Sequence, residues 1–137
     1  MSSILRNGRD RKTPRRDLGL MVLAVKADAV IHAGLMVCVD ATGYAIEAKA
    51  DADLIFMGRA EEFIDNTGGT DGSAQITVRN NSAFLYENSS TDPVTQVSIG
   101  QVCFIQDGQT VAKTNGAGTL SKAGRVVGVD NDGVWIE

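Results

Sequence analysis

Turn-forming residues recur along this chain every eight to twelve positions, a spacing that leaves room for short strands and for little else. They fall at Gly34, Thr42-Gly43, Gly58, the run Asn66-Thr67-Gly68-Gly69-Thr70-Asp71-Gly72, Asn80-Asn81, Asp92-Pro93, Gly100, Asp107-Gly108, Asn115-Gly116, Gly124 and Asn131-Asp132-Gly133. The segments between them are rich in β-branched residues, and several alternate. In Ala74-Gln75-Ile76-Thr77-Val78-Arg79 the period of two puts Ala, Ile and Val on one face and Gln, Thr and Arg on the other. Hydrophobic residues make up 43% of the chain but aromatics only 5%, so the core is built from Val, Ile, Leu and Ala, which argues against a deep aromatic ligand pocket. The reading is an all-β fold: a small sandwich or barrel of short antiparallel strands and hairpins, with an extended N-terminal arm. Ala45 to Ala52 alone has a helical composition, and its closing alternation of Asp predicts a loop or a single turn. Asp107-Gly108, between two apolar runs, predicts a hairpin whose turn needs positive φ, and Asp132-Gly133 repeats the device before Val134-Trp135-Ile136.

At 137 residues the chain suits one ordinary domain, 18–137, preceded by an arm, 1–17. Setting the chain against itself at an offset of 66 brings Gly34 onto Gly100, Val39 onto Ile105, Leu54 onto Leu120 and Gly58-Arg59 onto Gly124-Arg125. Two related halves, about 31–64 and 97–130, account for this match, with Cys38 and Cys103 one position out of register. Chance alignment of glycines in a Gly-rich chain accounts for it too.

Charge divides the chain more sharply than hydropathy does. The arm holds Arg6, Arg9, Arg11, Lys12, Arg15 and Arg16 against Asp10 and Asp17, giving +4; the whole chain is −4, so the remainder carries −8. Such a body repels a phosphate backbone, and the arm has no aromatic residue on which to stack a base; both count against a nucleic-acid partner. Broken by Gly8 and Pro14 and poor in apolar residues, the arm is expected to order only against a partner. No run approaches the roughly 18 apolar residues of a membrane span. Leu18 to Val25 follows basic residues but matches a secretory signal poorly, so a protein made and kept in the cytoplasm is expected.

The chemistry-bearing residues do not converge. His32 has no Cys, Ser or carboxylate nearer in sequence than Asp28 and reads as a surface or strand-end histidine. Asp28, Glu47, Asp51 and Asp53 could gather around a hard cation but read as well as solvated loop acids. Asp130-Asn131-Asp132-Gly133 resembles part of a calcium loop, yet Gly128 occupies the place of the first ligand and no closing Glu follows. Cys38 and Cys103 lie in apolar runs and read as buried free thiols. The Gly116-Ala117-Gly118 stretch lacks a third glycine and a dinucleotide-binding unit around it. Two glycosylation sequons, at Asn80 and Asn88, would matter only on a secretory route. The expectation is a protein without catalytic residues, metal or cofactor.

Met21-Val22-Leu23-Ala24-Val25-Lys26-Ala27, then Ile31-His32-Ala33-Gly34-Leu35-Met36-Val37, Gly43-Tyr44-Ala45-Ile46 and Leu54-Ile55-Phe56-Met57-Gly58-Arg59-Ala60 form a pattern. Together with Ser98 to Ile105 and Gly124 to Val129, it resembles small tailed-bacteriophage head decoration proteins, or capsid cement proteins. The likeness runs from Leu18 to Ile136 and is one of pattern and size. It implies a non-enzymatic virion protein on the capsid exterior that bridges and stabilises major capsid subunits. It also implies a homo-oligomer, a trimer in preference to a dimer, and it transfers no catalytic residue. The arm is not part of the resemblance; its six cations are read as a capsid-binding tether, since arginine pairs bidentately with carboxylates. The alternatives are another phage structural component, of tail tube or adhesion type, and a nucleic-acid-binding module acting through the arm.

Overall fold

A computed structural model describes residues 11–137, and its regular structure is β throughout apart from one turn of 3-10 helix at Gln96–Ser98. Seven strands come before Asn80: β1 Leu20–Ala24, β2 Val30–Ile31, β3 Met36–Val39, β4 Ala45–Glu47, β5 Ile55–Ala60, β6 Ile64–Asp65 and β7 Gln75–Arg79. Five follow it: β8 Phe84–Asn88, β9 Val102–Ile105, β10 Thr110–Ala112, β11 Lys122–Asp130 and β12 Gly133–Ile136. The first unit orders its strands β1-β7-β5-β3-β4, with β2 and β6 as a separate pair. The second is a closed barrel, β8-β12-β11-β9-β10, in which β10 returns to β8 in parallel. The ends of the first sheet meet at a single parallel bridge, Val25 with Ala45, where the Lys26 N–H donates to Ala45 O at 3.0 Å.

The two units pair their strands in the same register. Val39 opposes Ala45 as Ile105 opposes Val111, and Cys38 opposes Ile46 as Phe104 opposes Ala112. Met36 opposes Arg59 as Val102 opposes Arg125, and Cys38 opposes Phe56 as Phe104 opposes Lys122, with a register shift in each pair. Every one of these correspondences is an offset of 66 residues, and the outer strands continue the series at other offsets. Met21, Val22 and Leu23 oppose Val78, Thr77 and Ile76; Phe84, Leu85 and Tyr86 oppose Ile136, Trp135 and Val134. Defined by pairing, the units therefore run from 20 to 79 and from 84 to 137, wider than the 31–64 and 97–130 suggested by matching residues alone.

The equivalence also explains one pair of glycines. A Cβ on Gly58 would run into the carbonyl oxygen of Arg79, and one on Gly124 into that of Glu137. Each glycine lets the neighbouring strand approach at a corresponding point of its unit.

Packing joins the units. β3 is buried on both faces: Val37 lies with Val25, Ile31, Ile76 and Val78 in the first unit's core, whereas Met36 and Cys38 join Ala48, Leu54, Tyr86, Ile105, Val126 and Val134 in a core that spans both. Backbone contacts reinforce the junction, with the Met36 N–H donating to Gly108 O at 2.8 Å and the Leu54 N–H to Ser121 Oγ at 2.9 Å.

Two local expectations are corrected. Ala45–Glu47 is strand, not loop or helical turn, because β3 and the bridge to Val25 supply backbone partners on either side. The hairpin at Asp107-Gly108 forms, but Gly108 is not in the left-handed region. Its loop is closed by Gln106 N–H to Thr110 O and by Gln109 N–H to the Asp107 carboxylate, at 3.0 and 2.9 Å. Glycine serves close approach there, since a Cβ would press on Glu47 and Leu35. At the other hairpin Asn131 and Asp132 make the turn and Gly133 already belongs to β12. The alternation read in β7 holds, with Ile76 and Val78 buried.

Candidate functional site

Of the arm cations, Arg6 and Arg9 lie outside the described residues. Arg11, Lys12, Arg15 and Arg16 are exposed and extend from the start of β1 without regular structure. Among the described residues the arm makes one ion pair, Arg15 to Asp17 at 3.1 Å, with both side chains at least 80% exposed. A pair that open to water contributes little. Among the described residues no carboxylate of the acidic body pairs with a cation of the arm.

Where the arm enters the fold, the chain becomes apolar on both faces. Met21 and Leu23 pack on the first unit's core, while Leu18, Leu20 and Val22 point outward and stay 66%, 53% and 60% exposed. Arg16, Met57 and Thr77 border the shallow groove that Leu20 and Val22 line. The backbone at the same place is incompletely paired. Asn80 N–H donates to Gly19 O and Val25 N–H to Ala74 O, which fixes the parity of the antiparallel ladder with β7. Met21 and Leu23 consequently bond to β7, and Leu20, Val22 and Ala24 turn their N–H and C=O groups the other way. Among the described residues no strand takes up that edge before the bridge of Val25 with Ala45, where the Ala24 C=O and the Lys26 N–H meet Ala45.

The remaining candidates are dispersed. Asp28 accepts from Gly68 N–H, Asp51 from Asp53 N–H, and Glu47 from His32; among the described residues no three metal-ligating side chains gather. The fold brings His32 Nδ1 within 2.9 Å of Glu47 Oε1, a partner fifteen positions away that sequence inspection missed, and the imidazole sits 60% exposed beside Phe63. Such a pair orients a surface ring and touches no nucleophile. Cys38 and Cys103 are free and buried, and burial pushes each thiol up to about 12, far from the thiolate needed for nucleophilic chemistry. The stretch from Asn115 to Thr119 is a tight turn, with Gly118 and Thr119 N–H both donating to Asn115 O.

Two charged clusters have structural roles. Glu61 receives Arg59 at 2.7 Å and Arg79 at 2.9 Å, and the two guanidinium groups hold its carboxyl below the ordinary range. Arg59 also lies 4.3 Å above the Phe84 ring and so ties the first unit to β8. Lys26 and Asp40 pair at 2.8 Å beside the bridge that joins the ends of the first sheet. Lys26, helped by the Thr42 hydroxyl, draws the Asp40 carboxyl down to about 2.

Against known proteins, no family model, no curated protein and no solved structure matches this chain. The surface around the arm and β1 therefore has to be read from its own chemistry.

Proposed function

We propose that this chain is a non-enzymatic structural protein of a virion, which binds the outer surface of a phage head and bridges and stabilises major capsid subunits. The observation that carries this reading is the exposed cationic arm, whose described cations pair with no carboxylate of the acidic body, leading straight into an apolar strand face. That combination suits attachment to an anionic protein surface: the arginines supply charge-assisted contacts and the strand supplies apolar area. The pattern shared with head decoration proteins supports the same role, and a homo-oligomer, preferably a trimer, fits a bridging position.

Sedimentation of the purified protein with DNA-free heads and with naked DNA, at several salt concentrations, tests the proposal. Saturable binding to heads alone is expected, with a stoichiometry that reports the symmetry axis occupied. Deleting residues 1–17 should weaken that binding and flatten its salt dependence while the body stays folded. Binding to DNA and not to heads would overturn the reading and make the arm a nucleic-acid tether.

A further inference from the structure

We infer that the free edge of β1 receives an extended, net-anionic segment of the shell protein as an added strand, so that the first unit faces the shell. This rests on the capsid-binding reading and goes beyond it by naming the element that docks and the form its partner takes.

Three observations converge on Leu20 to Ala24. The backbone groups of Leu20 and Val22 and the N–H of Ala24 point away from β7 and have no strand partner among the described residues; the Ala24 C=O already faces Ala45 at the bridge. Leu20 and Val22, the same residues, are more than half exposed. An open edge with an apolar face is what proteins ordinarily cover or blunt with charge, and it is the surface used in strand addition, where main-chain bonds give affinity and alternate side chains give selectivity. The third observation is charge: Arg11, Lys12, Arg15 and Arg16 stand immediately before the strand, and Arg16 borders its groove.

That charge also selects the occupant. Two copies joined β1 to β1 across a two-fold axis would pair antiparallel and set the uncharged Leu20–Ala24 against itself, which offers the neighbouring cations no carboxylate along the edge. The second unit offers no comparable edge, because Glu87 and Ser89 on β8 already donate to Gln109 O and Val111 O at 2.8 and 2.9 Å. A foreign segment carrying carboxylates supplies the charge that neither of these offers.

Valine 22 allows a test that spares the fold, since its N–H faces the open edge and proline is tolerated at such a position. Val22→Pro should lower affinity for DNA-free heads at least tenfold and leave the unfolding transition of the free protein nearly unchanged. In the wild-type protein, amide hydrogen exchange at Leu20, Val22 and Ala24 should slow at least tenfold on heads, while Leu85 is unaffected. If wild-type protein binds heads with no slowing at these three amides, the strand-addition inference is overturned and the capsid-binding reading stands. If the three amides are protected in the free protein and lose protection on dilution, a second copy occupies the edge and the inference is likewise overturned. If wild-type protein fails to bind heads at all, the capsid-binding reading falls and takes this inference with it.

Discussion

The two units share strand order and register, yet they differ at the seam where the first strand meets the last. In the second unit β8 gives two backbone bonds to the β10 side, from Glu87 and Ser89, and the barrel closes. In the first, Lys26 alone donates across, to Ala45 O, and the Lys26 to Asp40 ion pair stands at the join. Their equivalents in the second unit, Ser89 and Gln106, carry no charge. Outward residues differ in the same sense: β8 shows Glu87 and a Leu85 opposite Trp135, whereas β1 shows Leu20 and Val22. One register is thus compatible with a sealed wall or an open one, and the side chains beside the seam decide which.

Damage to the shared architecture is the severest test of this comparison. Gly58→Val and Gly124→Val force a side chain into the opposite strand's carbonyl in their respective units. Each should cost more than about 4 kcal/mol, at the diagnostic end of single substitutions. Because one core spans both units, urea unfolding followed by Trp135 fluorescence and by far-UV circular dichroism should coincide in both variants. Separate transitions would show that the units melt independently.

Smaller cavities sharpen the same point. Ile76→Val removes a methylene from the first unit's own core and Ile105→Val from the shared one; each should cost about 1 kcal/mol. The transitions should remain single, as equilibrium denaturation will report.

The seam itself has a pH signature. Asp40 is held at about 2 in the folded protein, against about 3.9 unfolded. Its contribution is therefore complete above about pH 4 and fades as pH falls toward 2. Asp40→Asn should lower the melting temperature modestly at neutral pH, and the gap from wild type should close by about pH 2; a gap that persists there would dissociate the ion pair from closure. Smallest of all, Cys38 and Cys103 should resist a thiol reagent such as DTNB in the native state and become reactive in step with global unfolding.

Turn spacing and alternation made the all-β class legible in the sequence, because both are local properties of the backbone: β7 could be read from Gln75 to Arg79 directly. β4 was obscured because Ala45-Ile46-Glu47 has poor intrinsic strand character and is held by pairing with β3, a tertiary effect. At the candidate site the arm's charge was plain, but the outward stripe of Leu18, Leu20 and Val22 was hidden within a run whose alternate residues are also apolar. A strand apolar on both faces reads as a buried one until the unoccupied side is seen. The His32 to Glu47 contact had no local signal, since it depends on β4 lying beside the end of β2.

The connection before the fifth strand of each unit differs greatly in length. Ala60 and its partner Val78 stand eighteen residues apart, whereas the corresponding Val126 and Ile136 stand ten apart. The longer version is filled by β6 and by a loop wound about Asn66, whose amide donates to Lys26 O and Thr70 O. One architecture has thus accepted both a two-residue hairpin and an eight-residue extension at the same place without any change in strand order. A foreign peptide spliced between Asn131 and Asp132 should be carried in the same way, which makes that hairpin the natural point for displaying cargo.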